Sequence, residues 1–271
     1  MAASDHSFRA FSSQAFFREV NAWLVDRVGL EHARRVVDVA CGSGLVTELI
    51  VERMRQVGGA MVLAMDSSAD ALRDARKRVA GAGDSVVQFV QGRAEQLSGV
   101  IRDTVDAVLF CNAVHYVEDK HHLFMEIRRV LPPGGRFAFN TAFFQGAEPP
   151  ETLSFYRRWM LRALRLLNER YDVRPHRSKV ASRRQLTPEQ YAAEVERAGF
   201  AIEVQELVPA VLPEEGWIAI SEFQDFAEGA LPGVPLDWAS EVLCDALRQT
   251  FAKLELEGVP RNWLSVVAVR V

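Results

Sequence analysis

Two carboxylates frame the first chemistry in this chain. Asp38 lies in a hydrophobic run, Val36-Val37-Asp38-Val39, and Asp66 closes another, Met61-Val62-Leu63-Ala64-Met65-Asp66. Directly after the first run, Ala40-Cys41-Gly42-Ser43-Gly44-Leu45 turns the chain with small residues. Glycines there let a ligand approach the backbone, and the helix that follows offers unpaired N–H groups at its start. Strand, glycine turn and helix together form a nucleotide-binding element. A carboxylate at roughly the 20-residue offset of Asp66 accepts hydrogen bonds from two ribose hydroxyls. A dinucleotide fits less well. Its third glycine is replaced by Thr47, and a pyrophosphate would meet unwanted charge at Asp38. A cofactor with a cationic end suits that carboxylate better. His115, after a further apolar run, is of the type that serves as a base near neutral pH.

These residues need a scaffold of alternating strands and helices. Residues 13–28 read as an amphipathic helix with Phe16, Phe17, Val20, Trp23, Leu24 and Arg27 along its stripe. Val86–Gln91 and Val105–Cys111 continue the strands, and the alternation runs to Phe139. Right-handed crossovers then make a parallel, doubly wound sheet. Glu148-Pro149-Pro150 breaks the pattern, and Glu151–Tyr171 reads as a long helix with Leu153, Tyr156, Met160, Leu164, Leu167 and Tyr171 on one face. Thr187-Pro188-Glu189 opens another helix, with Thr as N-cap and Pro at N1, ending at Gly199. Phe200–Val208 gives a sixth strand. Residues 209–259 form a second insertion of two helices separated by Leu231-Pro232-Gly233-Val234-Pro235, and Trp263–Val271 is an alternating last strand.

The stretch from Val36 to Leu45 resembles motif I of the class I S-adenosylmethionine-dependent methyltransferases, an acid followed by Gly-x-Gly. Asn112-Ala113-Val114-His115-Tyr116 resembles motif IV of the small-molecule members, and Leu131-Pro132-Pro133-Gly134-Gly135-Arg136 their loop before strand five. The resemblance covers roughly residues 30–142 and the C-terminal end. It implies a Rossmann-like methyltransferase fold: an α/β, seven-stranded, mostly parallel sheet whose seventh strand pairs antiparallel beside the fifth, with helical insertions as a lid. It implies S-adenosylmethionine as cofactor, held by Asp38, Ala40, Gly42, Ser43, Gly44, Asp66, Ser67, Asn112, Ala113 and the loop Arg93-Ala94-Glu95. The family usually has Asp where Arg93 stands, so the backbone of Ala94 or the Glu95 carboxylate takes over the adenine.

The expected organisation is an N-terminal helical cap (1–30), an α/β core (31–142), a basic helical insertion (143–186), a core helix and strand (187–208), a helical lid (209–259) and the last strand (260–271). His115 is the expected base, with the wall of the cofactor pocket or a structural hydrogen-bond partner as its alternative role, and Tyr116 is the second catalytic candidate. Phe17, Phe143, Trp159, Tyr171, His176, Trp217 and Phe223 are the candidate substrate contacts. Aromatics concentrated in those segments point to a largely apolar or aromatic acceptor. Glu151–Arg184 holds ten Lys or Arg against three acids, which reads as a solvated helix face or as a site for an anionic substrate group.

Composition bounds the rest. The chain has 271 residues, 49% hydrophobic and 25% charged, which is that of an ordinary globular protein. A net charge of -4 argues against a polyanionic partner, and the acid-Pro-Pro-aromatic motif of nucleic-acid methyltransferases is absent. Cys41, Cys111 and Cys244 make no disulfide framework, which fits a reducing cytoplasm. No run approaches ~18 apolar residues, so no membrane span or membrane partner is expected. His122 and Glu126 share a helix face, but two such groups make no metal site. His6 and His32 carry no signal. The expected partner is a small-molecule methyl acceptor of an enzyme that is a monomer or homodimer. Two alternatives remain: a non-methylating cyclisation or decarboxylation on the same fold, and an RNA or protein substrate.

Overall fold

A computed structural model of the chain describes residues 8–81, 86–176 and 185–271. His6 and four cations of the basic stretch, Arg177, Lys179, Arg183 and Arg184, lie outside the described residues. In chain order the elements are α1 (Arg9–Ser12), α2 (Ala15–Val28), β1 (Arg35–Val39), α3 (Leu45–Met54), β2 (Met61–Asp66), α4 (Ala69–Val79), β3 (Val86–Gln91), α5 (Leu97–Val100), β4 (Ala107–Cys111), α6 (Lys120–Val130) and β5 (Arg136–Thr141). They continue with α7 (Leu153–Tyr171), α8 (Pro188–Arg197), β6 (Phe200–Leu212), α9 (Glu214–Glu222), α10 (Gln224–Ala230), α11 (Leu236–Leu254) and β7 (Val259–Arg270).

The described residues fall into two compact units. One comprises 18–81, 86–147, 185–208 and 263–271; the other comprises 8–17, 148–176 and 209–262. The seven strands form one sheet in the order β3-β2-β1-β4-β5-β7-β6. β1 pairs in parallel with β2 on one side and β4 on the other. The strand order therefore reverses at β1, and in open α/β sheets ligands bind outside the carboxyl ends at that point. β7 runs antiparallel to β5, from Arg136↔Val269 to Thr141↔Leu264. The seven-stranded, doubly wound sheet expected from the sequence is present.

Local chemistry accounts for the element boundaries. Ser68 caps α4 through the Ala71 amide, and Asp119 caps α6 through the His122 amide. α8 begins with a capping box: the Thr187 hydroxyl accepts from the Gln190 amide, and the Gln190 side chain accepts from the Thr187 amide. These caps satisfy donors that a helix start leaves unpaired. In the core of the sheet-bearing unit, Phe137 and Phe139 of β5 pack against Phe124 of α6, with Phe200 of β6 against Phe137 and Tyr191 of α8 against Phe139.

Several boundaries and faces differ from the sequence reading. β7 begins at Val259, and Trp263 through Ala268 are all buried, because the strand is covered on both faces instead of alternating. β6 runs on to Leu212. The second insertion holds three helices, since extended backbone at Phe223 ends α9 and opens α10. The buried face of α7 is Phe155, Trp159, Ala163, Leu166 and Leu167, whereas Leu153 and Leu164 of the expected stripe lie in solvent. The aromatic side chains carry more burial area than the leucines, and they set the rotation of the helix. Phe155, Trp159, Trp217 and Phe251 pack ring against ring in the second unit, and the Trp159 indole donates to the Leu243 carbonyl at 2.9 Å.

Candidate active site

Asp38 sits one residue before the end of β1 and is only 1% exposed. Its Oδ2 accepts the Thr47 hydroxyl at 2.5 Å. Burial pushes its pKa up to about 7; the Thr47 hydroxyl opposes that rise and the charge of Asp66 adds to it. Thr47 stands where a dinucleotide fold keeps its third glycine, so the substitution supplies the partner this buried acid needs. The carboxylate lies behind the turn, bonded within the protein, and not at an open surface.

The turn uses three left-handed residues, Ala40 (φ 53°), Gly42 (φ 53°) and Gly44 (φ 85°). The two glycines serve different purposes. A Cβ on Gly44 would meet the Ala75 Cα at 2.8 Å, so Gly44 permits α3 to pack against α4. A Cβ on Gly42 would meet nothing within 4 Å, so this is the position that leaves room beside the backbone. Ser43 contributes its carbonyl to Arg78 Nε at 3.0 Å.

Asp66, at the end of β2, is fixed by two backbone donors. The Gly42 amide donates to Oδ2 and the Ser68 amide to Oδ1, each at 2.8 Å. A carboxylate oxygen accepts two hydrogen bonds. Each oxygen of this half-buried side chain therefore has one lone-pair position beyond these two bonds. Ser67 is exposed and offers its carbonyl to Gln91 Nε2. Beyond β3, Arg93 pairs with Glu95 at 3.1 Å. Burial raises the Glu95 pKa, but its own amide and Arg93 outweigh that and hold it ionised below the usual range. Ala94 is half-buried beside this pair.

At the end of β4, Asn112 takes a left-handed conformation (φ 56°), as Ala40 does after the adjacent β1. The conformation is uncommon outside glycine, and asparagine tolerates it better than most residues. Here hydrogen bonds hold it in place. The Asn112 amide donates to the Asn140 carbonyl at 2.9 Å and to Asn140 Oδ1 at 3.0 Å. Its Nδ2 donates to Asn21 Oδ1 at 3.0 Å, and its Oδ1 accepts the Trp263 indole at 2.7 Å. Asn140 Nδ2 also donates to Asn21 Oδ1. Asn112 thus shapes the site through its backbone while its side chain is held by the protein. Asn21, Thr47, Asn140, Thr141 and Trp263 were not foreseen from the sequence. A polar residue on the apolar stripe of α2, and another in the buried strand β5, were the signals for Asn21 and Asn140.

The turn after Ala113 carries His115 and Tyr116. His115 Nδ1 lies 3.1 Å from Thr141 Oγ1, which also accepts the Phe143 amide at 3.0 Å. The imidazole stacks on Phe143 at 4.7 Å and contacts the exposed Tyr116 ring at 4.2 Å. The structure therefore brings His115, Tyr116 and Phe143 together at the carboxyl edge of the sheet. The other substrate candidates belong to the second unit. Trp159 and Trp217 are buried in its core, Tyr171 stacks on Trp238 and donates to Glu241, and His176 packs on Gly233. Phe17 and Phe223 both pack against Phe8. Glu126, the partner considered for His122, is taken by the Ser98 amide and hydroxyl and by Arg129.

The seven-stranded sheet in the order β3-β2-β1-β4-β5-β7-β6, with β7 antiparallel to β5, is the Rossmann-like methyltransferase fold. Residues 37–139 match the family model described as a methyltransferase domain, a family that uses S-adenosylmethionine. A trans-aconitate 2-methyltransferase of Rhodopseudomonas palustris (strain BisA53) is 36% identical over 116 residues, which are 42% of this chain and 41% of that protein. A ubiquinone biosynthesis O-methyltransferase of Aeromonas salmonicida (strain A449) is 28% identical over 119 residues, 44% of this chain and 48% of that protein. The matches thus span less than half the length of these curated relatives. A cyclopropane synthase of Mycobacterium tuberculosis shares the fold with a TM-score of 0.59 at 14% identity, over 98% of this chain and 94% of that one.

The residues present fit this cofactor. Asp66 has acceptor capacity for the ribose hydroxyls, Gly42 leaves space beside the backbone, and the start of α3 follows directly. Among the described residues, no helix is long and apolar enough to cross a membrane.

Proposed function

We propose that this chain transfers a methyl group from S-adenosylmethionine to a small, largely apolar or aromatic molecule. The observation that carries the reading is Asp66, anchored by the Gly42 and Ser68 amides with one acceptor position left on each oxygen. Bound S-adenosylmethionine supplies an electrophilic methyl carbon on a sulfonium. The protein's work is to hold the acceptor in line and exclude water. In this reading Gly42, Ser43 and Asp66 seat the nucleoside. Ala40, Asn112 and Ala113 present backbone at the ends of β1 and β4. Ala94 and Glu95 face the base, Ser67 and Arg93 flank it, and the buried Asp38 favours a nearby cation.

His115 is the proposed base. To act so, it must carry its proton on Nδ1, donated to Thr141 Oγ1, so that Nε2 accepts the proton of the acceptor group. Phe143 and Tyr116 then supply apolar surface beside it. One curated relative is named for trans-aconitate and another for O-methylation in ubiquinone biosynthesis, which supports the small-molecule class.

The test is formation of S-adenosylhomocysteine from S-adenosylmethionine across a panel of phenols, carboxylic acids and amines. Turnover with one class, reduced in His115→Ala, supports the proposal. Binding of the cofactor without turnover on any acceptor would favour a non-methylating reaction on the same fold.

A further inference from the structure

Helix α7 leaves three leucines in solvent, and they share an arc with three arginines. Leu153, Leu161 and Leu164 are 52%, 46% and 39% exposed. Arg157, Arg158 and Arg165 are exposed as well. At roughly 100° per residue these six side chains fall within an arc of about 140°, opposite the buried Phe155, Trp159 and Leu166. Sixteen residues, Leu153 to Asn168, contain no acid. Arg162 bonds Gln249 and lies 3.6 Å from Glu169, and Arg170 is held by Glu241 and Asp245. Arg157, Arg158, Arg165 and Lys253 have no ion-pair partner among the described residues. Between α7 and α11 a groove of about 420 Å³ is lined by Arg158, Leu161, Arg162, Arg165, Lys253 and Leu254, with Gln249 and Thr250.

This is an unusual face on a chain of net charge -4. Uncompensated cations attract an anionic surface, while exposed leucines interleaved with them favour an apolar layer just beneath it. A bilayer of anionic phospholipids offers both at the right depth. A nucleic acid would favour open aromatic faces for stacking; none of these six side chains is aromatic, and Tyr171, one helix end further on, already stacks on Trp238. We propose that this face of α7, with Lys253 of α11, is a peripheral contact for anionic phospholipid membranes. Arg157, Arg158, Arg165 and Lys253 take headgroup phosphates, one of them in the groove, and Leu153, Leu161 and Leu164 enter the acyl boundary. The expectation of no membrane partner rested on the absence of a spanning run, and a helix lying at the interface needs none. The proposal is independent of methyl transfer.

The test is co-sedimentation of the full chain with vesicles of phosphatidylglycerol and phosphatidylcholine in equal parts, against phosphatidylcholine alone. The expected result is binding to the anionic vesicles only, weakened by salt. Arg158→Glu with Arg165→Glu and Lys253→Glu should weaken it by about tenfold or more. Leu161→Ser with Leu164→Ser should weaken it without changing the salt dependence. All substituted side chains are solvent-facing, and an unchanged circular dichroism melt checks that the variants fold. No binding by the wild-type chain, equal binding to neutral vesicles, or equal binding by the charge-reversed variant would overturn the proposal. So would salt-sensitive binding to an acidic protein or RNA in the absence of any binding to vesicles.

Discussion

Thr47 donates its hydroxyl to Asp38 at 2.5 Å, and both side chains are buried. The pair explains how an acid survives inside a β-strand. It also fixes a sign for pH dependence. Burial raises the Asp38 pKa in the folded chain to about 7, from an ordinary value of 3.8. The folded state therefore holds a proton that the unfolded state has lost, and stability falls as pH rises between the two values. A shift of about three units corresponds to a contribution on the order of 4 kcal/mol. Asp38→Asn removes the titration. The stability of the wild type relative to this variant should decline from about pH 4 to about pH 7 and then level off. Urea unfolding of both chains across that range measures it, and parallel curves would show that Asp38 titrates normally.

Gly42 and Gly44 should separate cleanly. Gly44→Ala drives a Cβ into Ala75 at a left-handed position, and it should destabilise the fold by about 1–3 kcal/mol. Gly42→Ala meets open space, so its cost is the backbone alone, about 1–2 kcal/mol, while the added methyl occupies the room left for the ligand. Thermal melts should rank Gly44→Ala as the less stable protein. Cofactor titration should show the larger loss of affinity per unit of stability in Gly42→Ala.

Trp263 holds Asn112 from the last strand. Trp263→Phe keeps the apolar packing and removes the indole donor, leaving Asn112 Oδ1 without that partner. The expected cost is about 1–3 kcal/mol in stability, read from denaturant midpoints. Because this bond helps hold the left-handed backbone at the end of β4, cofactor affinity should fall as well. Unaltered affinity would show that Asn21 and Asn140 suffice to fix the β4 terminus.

His115→Ala should lower kcat by about 10²–10⁴-fold with cofactor affinity unchanged, if the imidazole is the base. Thr141→Val should weaken turnover less, because it only loosens the tautomer that Nδ1 adopts. Equal turnover in wild type and His115→Ala would leave the imidazole as a wall stacked on Phe143.

The core fold was legible because its signals are local. Asp38, Gly42, Gly44 and Asp66 stand at or just beyond strand ends that apolar runs announce, and strands β2 and β3 begin and end where those runs do. The partners of these residues are remote in sequence and were not legible. Asn21 and Asn112 are separated by 91 positions, and Asn112 and Trp263 by 151. Nothing in a single segment announces such a pairing. The rotation of α7 is not legible in the sequence for a related reason. A leucine stripe and an aromatic stripe compete on that helix, and only the packing of Phe155 and Trp159 against Trp217 and Phe251 decides which is buried.

If the Gly42–Asp66 corner seats S-adenosylmethionine, calorimetric titration of the wild type with S-adenosylmethionine and S-adenosylhomocysteine should show saturable binding of both. The binding should be lost in a folded Asp66→Ala chain. Absence of binding to the wild type, or equal binding by the variant, would show that the corner does not hold this cofactor.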